Sequence, residues 1–240
     1  MSSNSRIEWT ESTWNPITGC TKISPGCKNC YAERMARRLR AMRQPNYRNG
    51  FRVTIHPHAL GLPLAWKKPQ MVFVNSMSDL FHAQAPREFI LEVFGVMNRA
   101  CWHVYQILTK RADRLSTLDS SLPWSENIWA GVTVENQEYM HRVENLRACR
   151  AKNKFISFEP LLGSVGPLNL DGIHWVIAGG ESGPHARPVQ KDWITEIRDQ
   201  CITQGKPFFF KQWGGVRKKK NGRELDGRVW SEFPAQLTVA

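Results

Sequence analysis

The sequence predicts an α/β protein in which about six to seven parallel strands form a partial or open (β/α) barrel. A first strand is expected before Cys20, and six short apolar runs follow it, at 71–77, 103–109, 127–134, 154–158, 174–180 and 207–213. Stretches with helical periodicity separate most of these runs, and strands that alternate with helices form parallel sheets. The runs are almost continuously apolar, which indicates that both sheet faces are covered. A doubly wound sheet is the alternative, because one sequence does not reveal strand order.

The first helix is expected directly after Cys30. Three apolar residues recur on it at spacings of three and four, the pattern of an amphipathic helix: Met35, Leu39 and Met42. It should end before Pro45, because the residue that precedes a proline is disfavoured in helical conformation. The next segment, around 44–70, is rich in Pro and Gly, and it is predicted to be an insertion with a brief strand at 51–55.

Three later helices are predicted between the apolar runs, at 85–100, 137–150 and 189–205. Pro86 suits the first turn of its helix, and Gly205 is a common helix stop. The basic run at 217–220 is expected to be an exposed loop. Since no linker or repeat interrupts the pattern, residues 1–240 are expected to form a single domain.

Composition indicates a globular protein with an anionic partner. Hydrophobic residues make up 41% of the chain and charged residues 22%, and 33 basic residues against 21 acidic ones give a net charge of +12. Such an excess favours a nucleic acid or nucleotide partner, and a solvated basic surface is the alternative. No apolar run approaches the roughly 18–20 residues that span a bilayer, and the first residues lack a signal-peptide core. We therefore expect a cytoplasmic protein with no membrane partner.

Three of the six cysteines lie close together, in the pattern C-x6-C-x2-C formed by Cys20, Cys27 and Cys30. Clustered cysteines in a cytosolic chain indicate metal or redox chemistry before disulfides. Thiolates are soft ligands that suit iron–sulfur clusters or zinc, and three ligands leave one position open. Zinc is the alternative metal, with a histidine as the fourth ligand of a closed site: His56, His58 or His103. Unliganded thiols are the third interpretation. The scattered cysteines are expected to be structural: Cys101, Cys149 and Cys201.

Polar residues follow most of the predicted strands, where parallel barrels place their functional groups. Glu159 and Lys211 are candidate catalytic residues, because a charge directly after an apolar strand is costly to bury without a purpose. Seven further residues are candidates for cofactor binding: Ser76, Ser78, Asp79, Glu135, Gly179, Gly180 and Glu181. Lys110 and Arg111 are candidates for neutralising an anionic substrate. The alternative is that each acid pairs with a neighbouring base or caps a helix.

The segment WTESTWNPITGCTKISPGCKNCYAE resembles the phage-associated Gp37/Gp68 family of uncharacterised proteins. The later pieces NSMSDLF, GVTVEN, SFEPLL, GGESG and FFKQWGG fit the same family, so the resemblance covers nearly the whole chain. Its cysteine motif is in turn similar to that of radical S-adenosylmethionine (radical SAM) enzymes. Most of those enzymes use C-x3-C-x2-C, and the loop here is three residues longer.

The second resemblance implies a radical SAM-like barrel with a [4Fe-4S] cluster on the three cysteines and S-adenosylmethionine (SAM) on the fourth iron. It implies reductive cleavage of SAM to a 5′-deoxyadenosyl radical, with electrons from a reductant protein such as a flavodoxin or ferredoxin. Asp79, with Ser76 and Ser78, would bind the SAM ammonium, and Glu135 the ribose. The Gly-Gly-Glu segment that such enzymes place after the second strand occurs here only at Gly179–Glu181.

Three function classes therefore remain in order of preference. The first is a radical SAM-like enzyme acting on a nucleic acid or nucleotide. The second is a zinc-stabilised nucleic-acid-binding protein without catalysis. The third is a metal-dependent hydrolase, for which no H-E-x-x-H or comparable motif is present.

Overall fold

The computed structural model describes residue 5 and residues 7–235. In this part of the chain the strands are β1 (Ser12–Trp14), β2 (Ile17–Thr18), β3 (Thr54–Ile55), β4 (Met71–Val74), β5 (Val104–Thr109), β6 (Ile128–Thr133), β7 (Asn153–Phe158), β8 (Trp175–Gly179), β9 (Phe208–Gln212), β10 (Glu224–Leu225) and β11 (Arg228–Val229). The α-helices are α1 (Tyr31–Ala41), α2 (Pro57–Leu60), α3 (Arg87–Arg99), α4 (Ala112–Leu118), α5 (His141–Ala148), α6 (Lys191–Thr203) and α7 (Lys218–Asn221).

Seven of these strands form one parallel sheet in the order β1-β4-β5-β6-β7-β8-β9, curled into a half-barrel. Every neighbouring pair is parallel, and β8 and β9 slip register at Ala178 and Gly179. The predicted open or partial barrel is confirmed. Because all seven strands run the same way, their carboxyl ends lie at one edge, which we call the mouth.

Alternate residues of each strand pack on opposite faces, as the two-residue period of a strand requires. On β7, Ile156 and Phe158 pack outward with helix residues of α5 and α6. Phe155 points the other way, into an aromatic cluster on the inner face that lines the half-barrel: Trp9, Phe73, Trp129, Phe155, Trp175, Ile177 and Phe209. The floor of the half-barrel is therefore largely aromatic, and the buried side chain of Gln106 on β5 donates to the carbonyl of Trp9 within it.

Four expectations about local structure are corrected. The predicted helix at 137–150 is a 3-10 turn at 137–139, capped by Asn136, followed by α5. Helix α4 was missed, because its seven residues are too few to show a clear period. The expected basic loop at 217–220 contains α7, which ends at Gly222 with φ of 68°. Cys101, which is expected to be structural, is instead exposed, whereas Cys149 and Cys201 are buried, as structural cysteines usually are.

The segment between α1 and β4 packs beside the mouth. Its strand β3 pairs antiparallel with β2, which directly precedes the cysteine loop. Among the residues with described structure, no helix is long and apolar enough to cross a membrane.

Candidate functional site

The cysteine motif occupies the loop that connects β2 to α1 at the mouth. Gly19 brings the chain against the next segment: its amide donates to the carbonyl of Met77 at 3.0 Å, and its φ of 84° suits glycine. Cys27 ends a 3-10 turn, and Cys30 immediately precedes α1. All three thiols are free and partly exposed. Cys27 lies near both other cysteines, since a negative charge on its sulfur would raise the pKa of Cys20 and of Cys30.

The thiols of Cys20 and Cys30 lie in a weakly solvated setting. Burial raises the pKa of Cys20 to about 11; the charge of Asp79 adds to the rise, and the Arg111 guanidinium, whose Nη2 is 4.0 Å from the Cys20 Sγ, opposes it. Burial also raises the pKa of Cys30. A metal that binds Cys20 and Cys30 must therefore displace their protons.

Glu135 anchors one side of the cysteine loop. Its fully buried carboxylate lies 3.0 Å from the Lys110 ammonium and 2.9 Å from Nη1 of Arg142. The hydroxyl of Ser24, a loop residue between Cys20 and Cys27, donates to the same carboxylate. Burial opposes ionisation of Glu135, but Lys110, Ser24 and Arg142 outweigh it and hold its pKa below the ordinary value. The end of β6 is therefore connected to the loop by a charged hydrogen bond.

Glu181 anchors the other side. Arg187 binds its carboxylate with two side-chain nitrogens at 2.6 and 2.9 Å, and the Asn29 amide donates at 2.9 Å. Burial resists ionisation, yet these bonds lower the pKa of Glu181 to about 2. Arg187 also donates to the carbonyl of Pro25. Asn29 lies between Cys27 and Cys30, so the segment after β8 holds the second half of the motif.

The residues that follow β4 contact the segments on either side of the cysteine loop; they are Ser76, Ser78 and Asp79. Asp79 accepts from the Thr109 hydroxyl at 2.7 Å and from the Lys110 amide at 3.1 Å. Ser78 donates to the carbonyl of Ile17, and the carbonyl of Ser76 accepts from the Tyr31 hydroxyl. These contacts bind the end of β4 to both flanks of the cysteine loop.

Gly179 and Gly180 lack side chains where neighbouring parts of the chain approach them closely. A Cβ on Gly179 would lie 2.7 Å from Oε1 of Glu159, and one on Gly180 would lie 2.2 Å from the carbonyl oxygen of Trp213. The amide of Gly180 donates to the carbonyl of Gln212 at 2.9 Å. The Gly-Gly-Glu segment and the FFKQWGG segment thus pack directly together at the ends of β8 and β9.

Glu159 and Lys211 form an ion pair on the inner face of the mouth. Nζ of Lys211 is 3.2 Å from Oε1 of Glu159, and the two side chains are 19% and 14% exposed. The Ser157 hydroxyl donates to the same carboxylate at 3.2 Å, and Nζ of Lys211 lies 6.0 Å from the ring centre of Trp9. The pair therefore stands above the aromatic floor and remains open to solvent.

Within residue 5 and residues 7–235, no three His, Cys, Asp or Glu side chains are grouped closely enough to hold one metal ion. The donor chemistry of the three cysteines suits an iron–sulfur cluster, because such clusters are held by cysteine thiolates. All three suggested histidine ligands have other partners: His56 contacts the Thr18 hydroxyl, His58 the Asn46 side-chain oxygen, and His103 the carbonyl of Pro63.

Sequence reasoning missed three residues that hold the loop: Asn29, Arg142 and Arg187. Arg142 and Arg187 lie seven and six residues after the acids that they bind, and no motif in the sequence marks either pairing. Asn29 lies within the cysteine motif, between Cys27 and Cys30, but its partner is remote in the sequence. The Asn29–Glu181 contact joins residues 152 positions apart.

The fold and the site together define a parallel α/β half-barrel with a three-thiol loop at its mouth. The chain belongs to the family described as protein of unknown function (DUF5131), whose model matches residues 4–234. Comparisons with curated proteins and with solved structures gave no match. The geometry of the mouth is therefore the basis for assigning a function.

Proposed function

We propose that this protein is a radical SAM-like enzyme that binds a [4Fe-4S] cluster through Cys20, Cys27 and Cys30 and acts on a nucleic acid or nucleotide. When bound, the cluster would supply the one-electron chemistry by which such enzymes cleave SAM. A reductant protein such as a flavodoxin or ferredoxin would deliver the electron. Free, partly exposed thiols suit a reducing compartment, and we place the protein in the cytoplasm.

One observation carries this proposal: buried carboxylates from two strand ends hold the cysteine loop over the mouth. Glu135 binds Ser24 in the first half of the motif, and Glu181 binds Asn29 in the second half. Burying an ionised carboxylate is costly unless it is paired and hydrogen-bonded, and both are. Buried, paired carboxylates of this kind are expected where a loop must hold its side chains in one orientation, as ligands of a catalytic centre require.

Glu159 and Lys211 are the charged groups that we propose face cofactor and substrate. Both extend from the inner face of the half-barrel, on β9 and directly after β7, and keep some access to solvent. Asp79, Glu135 and Glu181 are instead engaged with the chain, so we propose that they orient the cofactor-binding loop. Lys211 can pair with an anionic group of a ligand, since its side chain is 19% exposed.

Anaerobic reconstitution tests the proposal. The protein is incubated with iron and sulfide, desalted, and assayed for iron, sulfide and visible thiolate-to-iron absorption. Dithionite and SAM are then added, and 5′-deoxyadenosine is measured. We expect about four irons per chain and formation of 5′-deoxyadenosine.

Cys27→Ala should lose the iron while retaining the fold. Cys101→Ala is the matched control, because Cys101 is an exposed cysteine outside the loop. Equal iron content in both variants would exclude the three-thiol site. About one zinc per chain and no iron, after anaerobic purification, would favour the zinc-stabilised binding protein instead.

A further inference from the structure

A cavity of about 370 Å³ lies beside the cysteine loop, on the side of the strand ends of β5 and β6. The residues that line it include Ile23, Lys110, Arg111, Arg114, Tyr139 and Arg142. Ile23 belongs to the cysteine loop itself, between Cys20 and Cys27. The cavity therefore shares a wall with the candidate metal centre.

The lining is strongly cationic. Four fixed positive charges, on Lys110, Arg111, Arg114 and Arg142, face one carboxylate, that of Asp113. Asp113 is already hydrogen-bonded to the Asn145 amide at 2.7 Å. A concave surface of this charge concentrates anions, because low-dielectric walls focus the field.

Two of these cations, Arg111 and Arg114, are incompletely paired. The other two, Lys110 and Arg142, share the buried carboxylate of Glu135. Arg114 donates to the carbonyl of Ala85 at 2.6 Å and, within residues 7–235, takes part in no ion pair. Nε of Arg111 is buried without a hydrogen-bond partner, and the nearest carboxylate oxygen, on Asp79, is 4.0 Å away. A guanidinium has five N–H donors, so donors remain for a ligand.

The cavity also has apolar and aromatic walls. Ile23 is 40% exposed and gives the cavity an aliphatic wall. The Arg142 guanidinium lies 4.3 Å from the ring centre of Tyr139 and stacks on it. Phe81 contributes a second ring. Cationic donors next to flat apolar surfaces match a phosphate attached to a nucleoside, since bases stack on such surfaces.

We propose that this cavity binds a phosphate group of a nucleotide, free or within a nucleic acid, beside the cysteine loop. Arg114 and Arg111 donate to the phosphate oxygens, and Ile23 and Tyr139 contact the attached nucleoside. The inference deepens the proposed function and rests on it for the reaction, but the binding itself is independent of any metal. Arg111 also donates to the Thr21 hydroxyl at 2.9 Å, so an occupied cavity is coupled to the position of the loop.

Arg114→Gln is the test, because Arg114 donates to a backbone carbonyl, that of Ala85, outside the cysteine loop. Arg99→Gln is the control: Arg99 ends α3 at the opposite edge of the sheet and is exposed. Binding of a fluorescein-labelled single-stranded oligonucleotide is followed by anisotropy at several salt concentrations. A nucleoside monophosphate, its nucleoside and inorganic phosphate serve as competitors. Thermal unfolding verifies that both variants fold, and Arg114→Lys, which keeps the charge, serves if Arg114→Gln does not.

We expect Arg114→Gln to weaken binding about tenfold and to reduce the salt dependence by about one phosphate contact, with Arg99→Gln near wild type. Competition by the monophosphate but not the nucleoside supports a free nucleotide, and binding confined to the oligonucleotide supports a nucleic acid. Equal effects of both variants, or equal competition by nucleoside and monophosphate, would overturn the inference. Binding without iron uptake would leave the cavity assigned and reject the radical SAM proposal, whereas SAM cleavage without binding would do the reverse.

Discussion

Replacing Glu135 by glutamine should destabilise the protein and loosen the cysteine loop together. The carboxylate is fully buried between Lys110 and Arg142, at 3.0 and 2.9 Å, and accepts a hydrogen bond from Ser24. Removing one partner from a buried ion pair typically costs about 3–5 kcal/mol, because the remaining charge stays buried without compensation. Lys110 keeps 19% of its side chain exposed, which favours the lower end, about 3 kcal/mol. In a chain of this size that corresponds to a melting temperature lower by roughly 6–12 °C.

Urea unfolding of the metal-free protein, followed by circular dichroism under anaerobic conditions, measures the loss. Glu126→Gln is the matched control, because Glu126 also pairs with a lysine, Lys152, but both side chains are largely exposed. Exposed pairs contribute little to stability, so this variant should remain close to wild type. The thiol of Cys27 should also react faster with a thiol reagent in Glu135→Gln, since Ser24 loses its charged acceptor. An equal loss of stability in the two variants, or unchanged thiol reactivity, would refute the reasoning that Glu135 anchors the loop.

Three further results are expected. Because the pKa of Glu181 is lowered to about 2, its ionised carboxylate stabilises the fold at pH values above the ordinary carboxyl range, and this stabilisation is lost as the pH falls toward about 2. In acid unfolding, the free energy of unfolding of Glu181→Gln should therefore fall less steeply than that of wild type below about pH 4. Gly179→Ala should displace the pair of Glu159 and Lys211 and cost about 1–3 kcal/mol, whereas Gly95→Ala, which meets no neighbouring atom, should be neutral or stabilising; urea unfolding distinguishes them. Lys211→Met should keep the iron content of wild type and lower 5′-deoxyadenosine formation, and unchanged formation would remove Lys211 from the proposed site.

The clearest sequence prediction was the parallel half-barrel. Runs such as MVFV at 71–74 and WVIAG at 175–179 are apolar at successive positions, because both faces of a strand in this sheet are covered, and that burial leaves a continuous apolar run. The cysteine spacing also predicts a metal or redox site in the loop between β2 and α1, and this stays a prediction. These features are local, so neighbouring residues suffice to reveal them.

What the sequence could not determine is which polar residues face a ligand and which hold the chain together. Asp79, Glu135 and Glu181 looked alike as acids after strands, and the fold gives each a set of partners, some more than 100 positions away along the chain. The cationic cavity beside the loop brings residues from the cysteine loop, α4 and the turn before α5 together. Strand order and sheet curvature decide these juxtapositions. Whether a carboxylate holds the cysteine loop therefore depends on which loop residue the fold brings against it, Ser24 for Glu135 and Asn29 for Glu181. These partners are 111 and 152 positions apart in the chain, and no sequence spacing encodes such contacts.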